Sequence, residues 1–243
     1  MENIDEENKR SCEAKEVSYI TPICNPSCTK LNIGDLAPEF TANTTFGECK
    51  LSDYRGKWLV FFCHPGDHTP VCTTEFISFS NFHSKFKKIN CELLALSVDN
   101  ITSHLSWVYD IYKSTGIKIP FPIIDDKKCK IARMYNMMKK DDESTIRSVY
   151  IICPEGKIRA ILEYPASIGR NIAEILRMVE ALQESDINKV VTPAGWVPGM
   201  PTISLIPKTQ SEMLEKISNT TNYNCVDWFL CFNNQTKNNC NNC

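Results

Sequence analysis

The sequence has no excess of charge of either sign. Its 27 Lys and Arg residues stand against 29 Asp and Glu, a formal net charge of −2, which gives no electrostatic case for binding nucleic acid or an anionic membrane surface. It also lacks a long hydrophobic run. Nowhere do the roughly eighteen consecutive apolar residues needed for a membrane span occur. The opening residues Met1 to Arg10 hold no apolar segment and are too acidic for a transit peptide, so a cytoplasmic protein is expected. No internal repeat is present, which sets aside repeat architectures.

What is present suits a folded domain with redox chemistry. A chain of 243 residues that is 42% hydrophobic can bury a full core. Its thirteen cysteines are odd in number and sit in a long chain with no secretory signal, which argues against a disulfide scaffold. Cys91 and Cys153 fall inside apolar runs and read as small buried residues. Cys63, at a strand end beside His64, has no obvious place. Cys24 with Cys28, and Cys240 with Cys243, each have the spacing of half a zinc site. Extra thiols or a terminal redox pair fit them better, and neither a metal nor an organic cofactor is expected.

Residues 1–30 are polar and without periodicity, and read as a mobile extension. Residues 31–184 alternate strands and helices: strand 57–62, helix 72–88, strand 92–98, helix 103–114, strand 122–124, helix 129–137, a hairpin of 148–152 with 157–162, and helix 171–183. This is the pattern of an α/β domain with a mixed central sheet. Residues 185–232 form a separate C-terminal arm with a short helix near 211–218, and the Asn-rich residues 233–243 read as a disordered tail.

The most informative stretch runs from Phe61 to Glu75. An apolar strand is broken by Pro65 and Gly66, and helical spacing restarts at Phe76 and Phe79. Cys72 is thereby placed in the first turn of a helix, where free N–H groups and the positive dipole end favour an anion. A helix start with a cationic neighbour is how a reactive thiolate is made. Thr69, three residues upstream, is positioned to bring a hydroxyl beside the sulfur.

Pro65-x-x-x-Thr69-x-x-Cys72 resembles the peroxiredoxin active-site motif, and the run His64 to Glu75 is similar to that of the one-cysteine subfamily. The resemblance extends from about Leu31 to about Phe232. It implies a thioredoxin-like fold with a small C-terminal dimerisation domain, and a thiol-dependent peroxidase that reduces hydrogen peroxide and organic hydroperoxides in antioxidant and redox homeostasis. Cys72 would be the peroxidatic nucleophile, passing through a sulfenic acid, with Pro65 shielding it and Thr69 orienting the peroxide. Arg147 stands where the family has its active-site arginine, and otherwise reads as a surface residue. Arg170, in Tyr164-Pro-Ala-Ser-Ile-Gly-Arg-Asn171, matches a second arginine near the cysteine. Glu75 would fix the arginines by ion pairing, and His64 would lie close to the sulfur, to relay protons or hold the sulfenic acid. His68 is a departure from the family's usual phenylalanine, and would wet the pocket or change its response to pH.

The segment Cys225-Val-Asp-Trp-Phe-Leu-Cys231 resembles the C-terminal segment of archaeal thioredoxin peroxidases. It marks Cys231 and Cys225 as candidate resolving thiols, the later one bonding to Cys72 of a neighbouring subunit; the alternative is a pair of structural cysteines. The implied partners are a hydroperoxide, a thiol donor such as a thioredoxin-like protein or glutathione, and further copies of the chain in a homodimer or larger ring. The phospholipase activity linked to animal relatives is not carried over, because Asp53 to Trp58 holds no serine where that activity needs one. A rival reading is a peroxide sensor or holdase chaperone on the same scaffold.

Overall fold

The computed structural model describes residues 30–139, 144–219 and 221–233. Its centre is β3 (Trp58–Cys63), six consecutive buried residues. Strand alternation sends Trp58, Val60 and Phe62 into one half of the core and Leu59, Phe61 and Cys63 into the other, so the strand is covered on both faces. It pairs parallel with β4 (Cys91–Ser97) and antiparallel with β6 (Arg147–Ile152). The remaining members are β1 (Thr41–Thr44), β2 (Gly47–Lys50), β5 (Ile123–Asp125) and β7 (Ile158–Tyr164). Together they make a seven-stranded mixed sheet in the order β2-β1-β5-β4-β3-β6-β7, the thioredoxin-like α/β arrangement expected from the sequence.

Helices cover both faces. The chain leaves β3 through a turn and enters α1 (Pro70–Lys88), whose extended N-cap Thr69 and first-turn Pro70 set its start. Cys72, Glu75, Phe76, Phe79 and Phe86 form its buried stripe, and Lys85, Lys87 and Lys88 face the negative end of its dipole. Helix α2 (Ile101–Thr115) buries His104, Trp107 and Ile111 and ends at Gly116, whose φ of 74° is the left-handed stop that glycine permits. Two further helices, α3 (Lys130–Met134) and α4 (Ile172–Asn188), complete the domain. Helix α3 is shorter than the expected 129–137, because Cys129 before it and Asn136 after it both take left-handed backbone angles. Among the described residues no helix is long and apolar enough to cross a membrane.

Past α4 the chain folds back on its own core. Trp196 is buried, its carbonyl accepts from Arg177 of α4 at 2.8 Å, and Ile203 bridges to Val191 and to Phe232. Helix α5 (Gln210–Ser218) precedes a two-stranded antiparallel sheet of β8 (Tyr223–Asp227) and β9 (Leu230–Asn233). The proposed extension 1–30 lies outside the described residues apart from its last position, as do the cysteines at 24, 28, 240 and 243 and all but the first residue of the 233–243 tail.

Aromatic packing anchors α1 to the sheet. The Phe79 ring stacks on Phe62 with centroids 4.1 Å apart, and both are fully buried. Phe79→Ala is expected to destabilise the protein by about 3–5 kcal/mol through lost burial and the cavity left behind, read as a lower urea midpoint at unchanged slope.

Candidate active site

Four segments meet at the first turn of α1: the end of β3, the start of β6, the loop before α4, and the helix itself. Cys72 is the third residue of α1 and is completely buried. Arg147, the first residue of β6, donates from Nη1 to Cys72 Sγ at 3.2 Å and to Glu75 Oε2 at 2.8 Å. Its other nitrogens are held by the Ala166 carbonyl, Nε at 3.0 Å and Nη2 at 2.7 Å, which leaves the guanidinium one orientation.

Glu75 lies one turn after Cys72 and joins two arginines. Its Oε1 accepts from the backbone N–H and Nε of Arg170, each at 2.8 Å, and its Oε2 accepts from Arg170 Nη2 at 2.6 Å as well as from Arg147. Arg170 Nη1 reaches the Cys63 carbonyl at 2.8 Å and the Ser148 carbonyl at 3.3 Å, and its guanidinium lies 5.0 Å from the Phe62 ring centre. Arg147, Arg170 and Glu75 are all buried. Two guanidinium charges thus face one carboxylate in a dry site.

The turn from His64 to Thr69 is tied from several sides. The Asp67 N–H donates to Asp99 Oδ2 at 2.9 Å, and Thr145 Oγ1 donates to the His64 carbonyl at 2.7 Å. Pro65 sits half-buried in this turn. The Thr69 hydroxyl donates to the Gly66 carbonyl at 2.8 Å and makes no hydrogen bond to the sulfur. Thr69 heads the helix as N-cap residue but leaves the first-turn N–H groups uncapped by its side chain. His64 is fully buried, its Nε2 is 3.0 Å from Asp67 Oδ1, and its ring packs on Phe76 and Trp107. His68, expected to wet the pocket, instead lies about half exposed on the surface, 3.8 Å from Asp110 of α2.

The other thiols are placed differently. Cys63 donates to the Ile146 carbonyl at 3.0 Å and accepts from the Ser148 N–H, and burial pushes its thiol up to about 11 despite nearby Arg170. Cys91 is buried and pushed up further, and Cys153 is buried too, as their apolar surroundings suggest. Cys225 and Cys231 are bonded to each other across β8 and β9; neither stands as a free thiol.

Residues 33–161 match the family model of the AhpC/TSA family, and residues 181–216 match that of the C-terminal domain of 1-Cys peroxiredoxin. Peroxiredoxin 2 of Caldanaerobacter subterraneus subsp. tengcongensis is 50% identical over 222 residues, covering 90% of this chain and 98% of that one. The chain is a peroxiredoxin. A peroxiredoxin of Methanosarcina mazei is 44% identical over 84% of this chain and 98% of its own. Among solved structures, the yeast mitochondrial 1-Cys peroxiredoxin superposes with a TM-score of 0.76 at 37% identity, covering 84% of this chain and all of that one. Peroxiredoxin 6 of Arenicola marina gives 0.77 at 34% identity, covering 85% and 99%. This peroxiredoxin is accordingly a thiol-dependent peroxidase, an oxidoreductase acting on peroxides, and the sensor or chaperone alternative is not favoured.

The peroxiredoxin site also contains residues that the sequence did not single out. The side chains of Asp67 and His104 are buried against each other, with Asp67 Oδ2 2.8 Å from His104 Nδ1. His104 shares the buried stripe of α2 with Trp107 and Ile111, which was a readable signal that it does not face water. Trp107 donates to Thr73 Oγ1 at 3.2 Å, and Thr73 donates to the Thr69 carbonyl at 2.8 Å, tying α2 to the first turn of α1.

Acid should unfold the protein through this cluster. Burial holds His64 below its ordinary 6.5 against the opposing pull of Asp67. For Asp67 burial acts upward, but the hydrogen bonds and charges of His104 and His64 outweigh it and hold the carboxyl well below 3.8. Below those ordinary values the unfolded chain binds protons that the folded chain refuses, so stability rises with pH and is lost as pH falls. The unfolding free energy is therefore expected to drop on acidification from about pH 7.5 to about pH 5.5 through His64, with a smaller drop in His64→Gln, and to drop again near pH 4 and below through Asp67.

Proposed function

We propose that Cys72 is the peroxidatic nucleophile and that Arg147, fixed by Ala166 and Glu75, is the group that stabilises both the thiolate and the developing oxyanion. The supporting observation is Arg147 Nη1 at 3.2 Å from Cys72 Sγ. The thiolate attacks the terminal oxygen of the hydroperoxide; the O–O bond breaks, Cys72 becomes a sulfenic acid, and the departing alkoxide or hydroxide takes a proton from water. Arg170 and Glu75 hold Arg147 in place, Thr69 and Pro65 shape the entry turn, and His64 lines it. Hydrogen peroxide and organic hydroperoxides are the substrates, in a cytoplasmic antioxidant role. Arg147→Lys, which loses the planar fork, should lower the rate constant for Cys72 oxidation by about 10²–10³-fold, measured by stopped-flow under single-turnover conditions.

For resolution, Cys231 of the partner subunit condenses with the Cys72 sulfenic acid, releasing water. Cys225 then attacks the Cys231 sulfur, Cys72 leaves as thiolate, and the Cys225–Cys231 disulfide remains, which is the bonded pair seen here. Cys72 is buried in this closed form, so the first turn of α1 opens for the exchange. The yeast mitochondrial 1-Cys peroxiredoxin resolves its thiol via glutathione/thioredoxin systems, which supports a thioredoxin-like protein or glutathione as donor here. The C-terminal unit, residues 185–232, exposes Leu205, Ile206, Leu214 and Ile217, which fits docking on a second copy in a dimer or ring. Non-reducing gels after one equivalent of peroxide test the scheme. Cys225→Ser should trap a Cys72–Cys231 intersubunit disulfide, and its absence, with Cys72 held as sulfenic or sulfinic acid, would establish a cycle with one cysteine.

A further inference from the structure

The bond between Cys225 and Cys231 joins two sulfurs in unequal surroundings. Cys231 sits on β9, which is paired on both sides. On one side it meets β8; on the other, the Ser204 N–H donates to the Cys231 carbonyl at 3.0 Å and the Asn233 N–H donates to the Thr202 carbonyl at 2.8 Å. The Ser204 hydroxyl donates to the same Cys231 carbonyl at 3.2 Å, and Ile203 bridges to Phe232. Cys231 is 1% exposed. Cys225 lies opposite it on β8, and among the described residues no strand lies beyond β8. It is only partly buried, and its neighbours Asn224 and Val226 are exposed.

A thiolate cleaves a disulfide by attacking one sulfur in line with the bond, from the side away from the sulfur that leaves, so access decides which sulfur is taken. Here the bond crosses from a middle strand to an outer one. Approach to Cys225 comes from the open edge of β8, and approach to Cys231 from the side that residues 202–204 cover. We propose that the bonded pair is cleaved in one sense only: the reducing thiol enters at Cys225, and Cys231 is the sulfur that leaves. The donor thiolate bonds to Cys225 Sγ, the bond to Cys231 breaks, and Cys231 departs as a thiolate that takes a proton from water. A second donor thiolate then attacks the donor sulfur of the mixed disulfide, and Cys225 leaves in turn. The donor is oxidised by two electrons to a disulfide and the pair is reduced by two. Cys231 is therefore freed first, while Cys225 still carries the donor. Its use as the thiol that meets Cys72 rests on the peroxidase reading above, but the sense of cleavage does not.

Bonding the pair with diamide in the Cys72→Ser chain keeps Cys72 out of every step. Sulfite leaves a stable S-sulfonate on the sulfur it attacks, and reduced glutathione leaves a mixed disulfide; excess iodoacetamide at early times then marks the sulfur released. Chymotrypsin cuts at Trp228, Phe229 and Leu230, which separates the two cysteines for mass spectrometry. With each nucleophile the adduct is expected on Cys225 and the alkyl mark on Cys231, with the reverse pattern rarer by about tenfold or more. In denaturing urea the preference should vanish, because the fold sets it. The reverse pattern, an even split or no cleavage of the native pair overturns the proposal, as does a preference that survives in urea. Failure of the Cys72 assignment would appear separately, as peroxide consumption by Cys72→Ser, with the cleavage pattern intact.

Discussion

Replacing Cys72 by serine is expected to abolish peroxide consumption, a loss on the order of 10⁴-fold or more, because the attacking thiolate disappears and among the described residues no other thiol is hydrogen-bonded to Arg147. The fold should survive. Serine fills most of the volume of the buried thiol and can accept the same Arg147 hydrogen bond, so a stability change of only about 1–2 kcal/mol is expected. Steady-state peroxide consumption with reductant in excess, together with circular dichroism of the variant, checks both halves. Retention of wild-type turnover would contradict the assignment.

Removing the carboxylate of Glu75 should be the most damaging change among the supporting residues. It accepts hydrogen bonds from both Arg147 and Arg170, whose side chains are 3% and 0% exposed. In Glu75→Ala two buried guanidiniums lose the carboxylate they share, and breaking such a pair costs about 3–5 kcal/mol. Arg147 also loses one of its anchors, and a cation displaced from the sulfur should slow Cys72 oxidation by about 10²-fold. Glu75→Gln keeps the shape and some of the hydrogen bonds, so its stability loss should be smaller while the rate loss persists. Urea unfolding of both variants, paired with single-turnover rates, separates the structural share from the electrostatic one.

The legible part of this protein was the part written contiguously. Strand β3 announces itself by Trp, Val and Phe, the break by Pro65 and Gly66, and α1 by aromatic residues at helical spacing, so the placement of Cys72 at a helix start followed from local rules. Arg147 and Arg170 were different. Nothing local distinguishes them from surface arginines, and only the resemblance to a known family marks them as residues that the fold brings together around Glu75, one from the start of β6 and one from the loop after β7. The β1–β2 hairpin escaped notice because Thr41–Thr44 and Gly47–Lys50 are short, polar and on a sheet edge, where alternation is weak.

Asp67 and His104 escaped for another reason: they are separated by thirty-seven positions, and their pairing depends on how α2 packs over the turn after β3. A histidine on a helix carries no mark of its partner. Thr69 shows the limit from the other side. Its motif position was plain, yet its hydroxyl is engaged with Gly66 in the closed site, so the motif identified the residue and packing decided its bond. The two C-terminal cysteines were recognisable as a functional pair, but their bonding to each other depends on the register of β8 with β9, which places Cys225 opposite Cys231.

All of this chemistry depends on Cys72 being the residue that meets the peroxide. Treating the fully reduced chain with one equivalent of hydroperoxide in the presence of a sulfenic-acid trap, then mapping the adduct by peptide mass spectrometry, tests this most directly. The adduct is expected on Cys72 ahead of every other cysteine. An adduct on Cys49, Cys129 or Cys225 with Cys72 unmodified would contradict it.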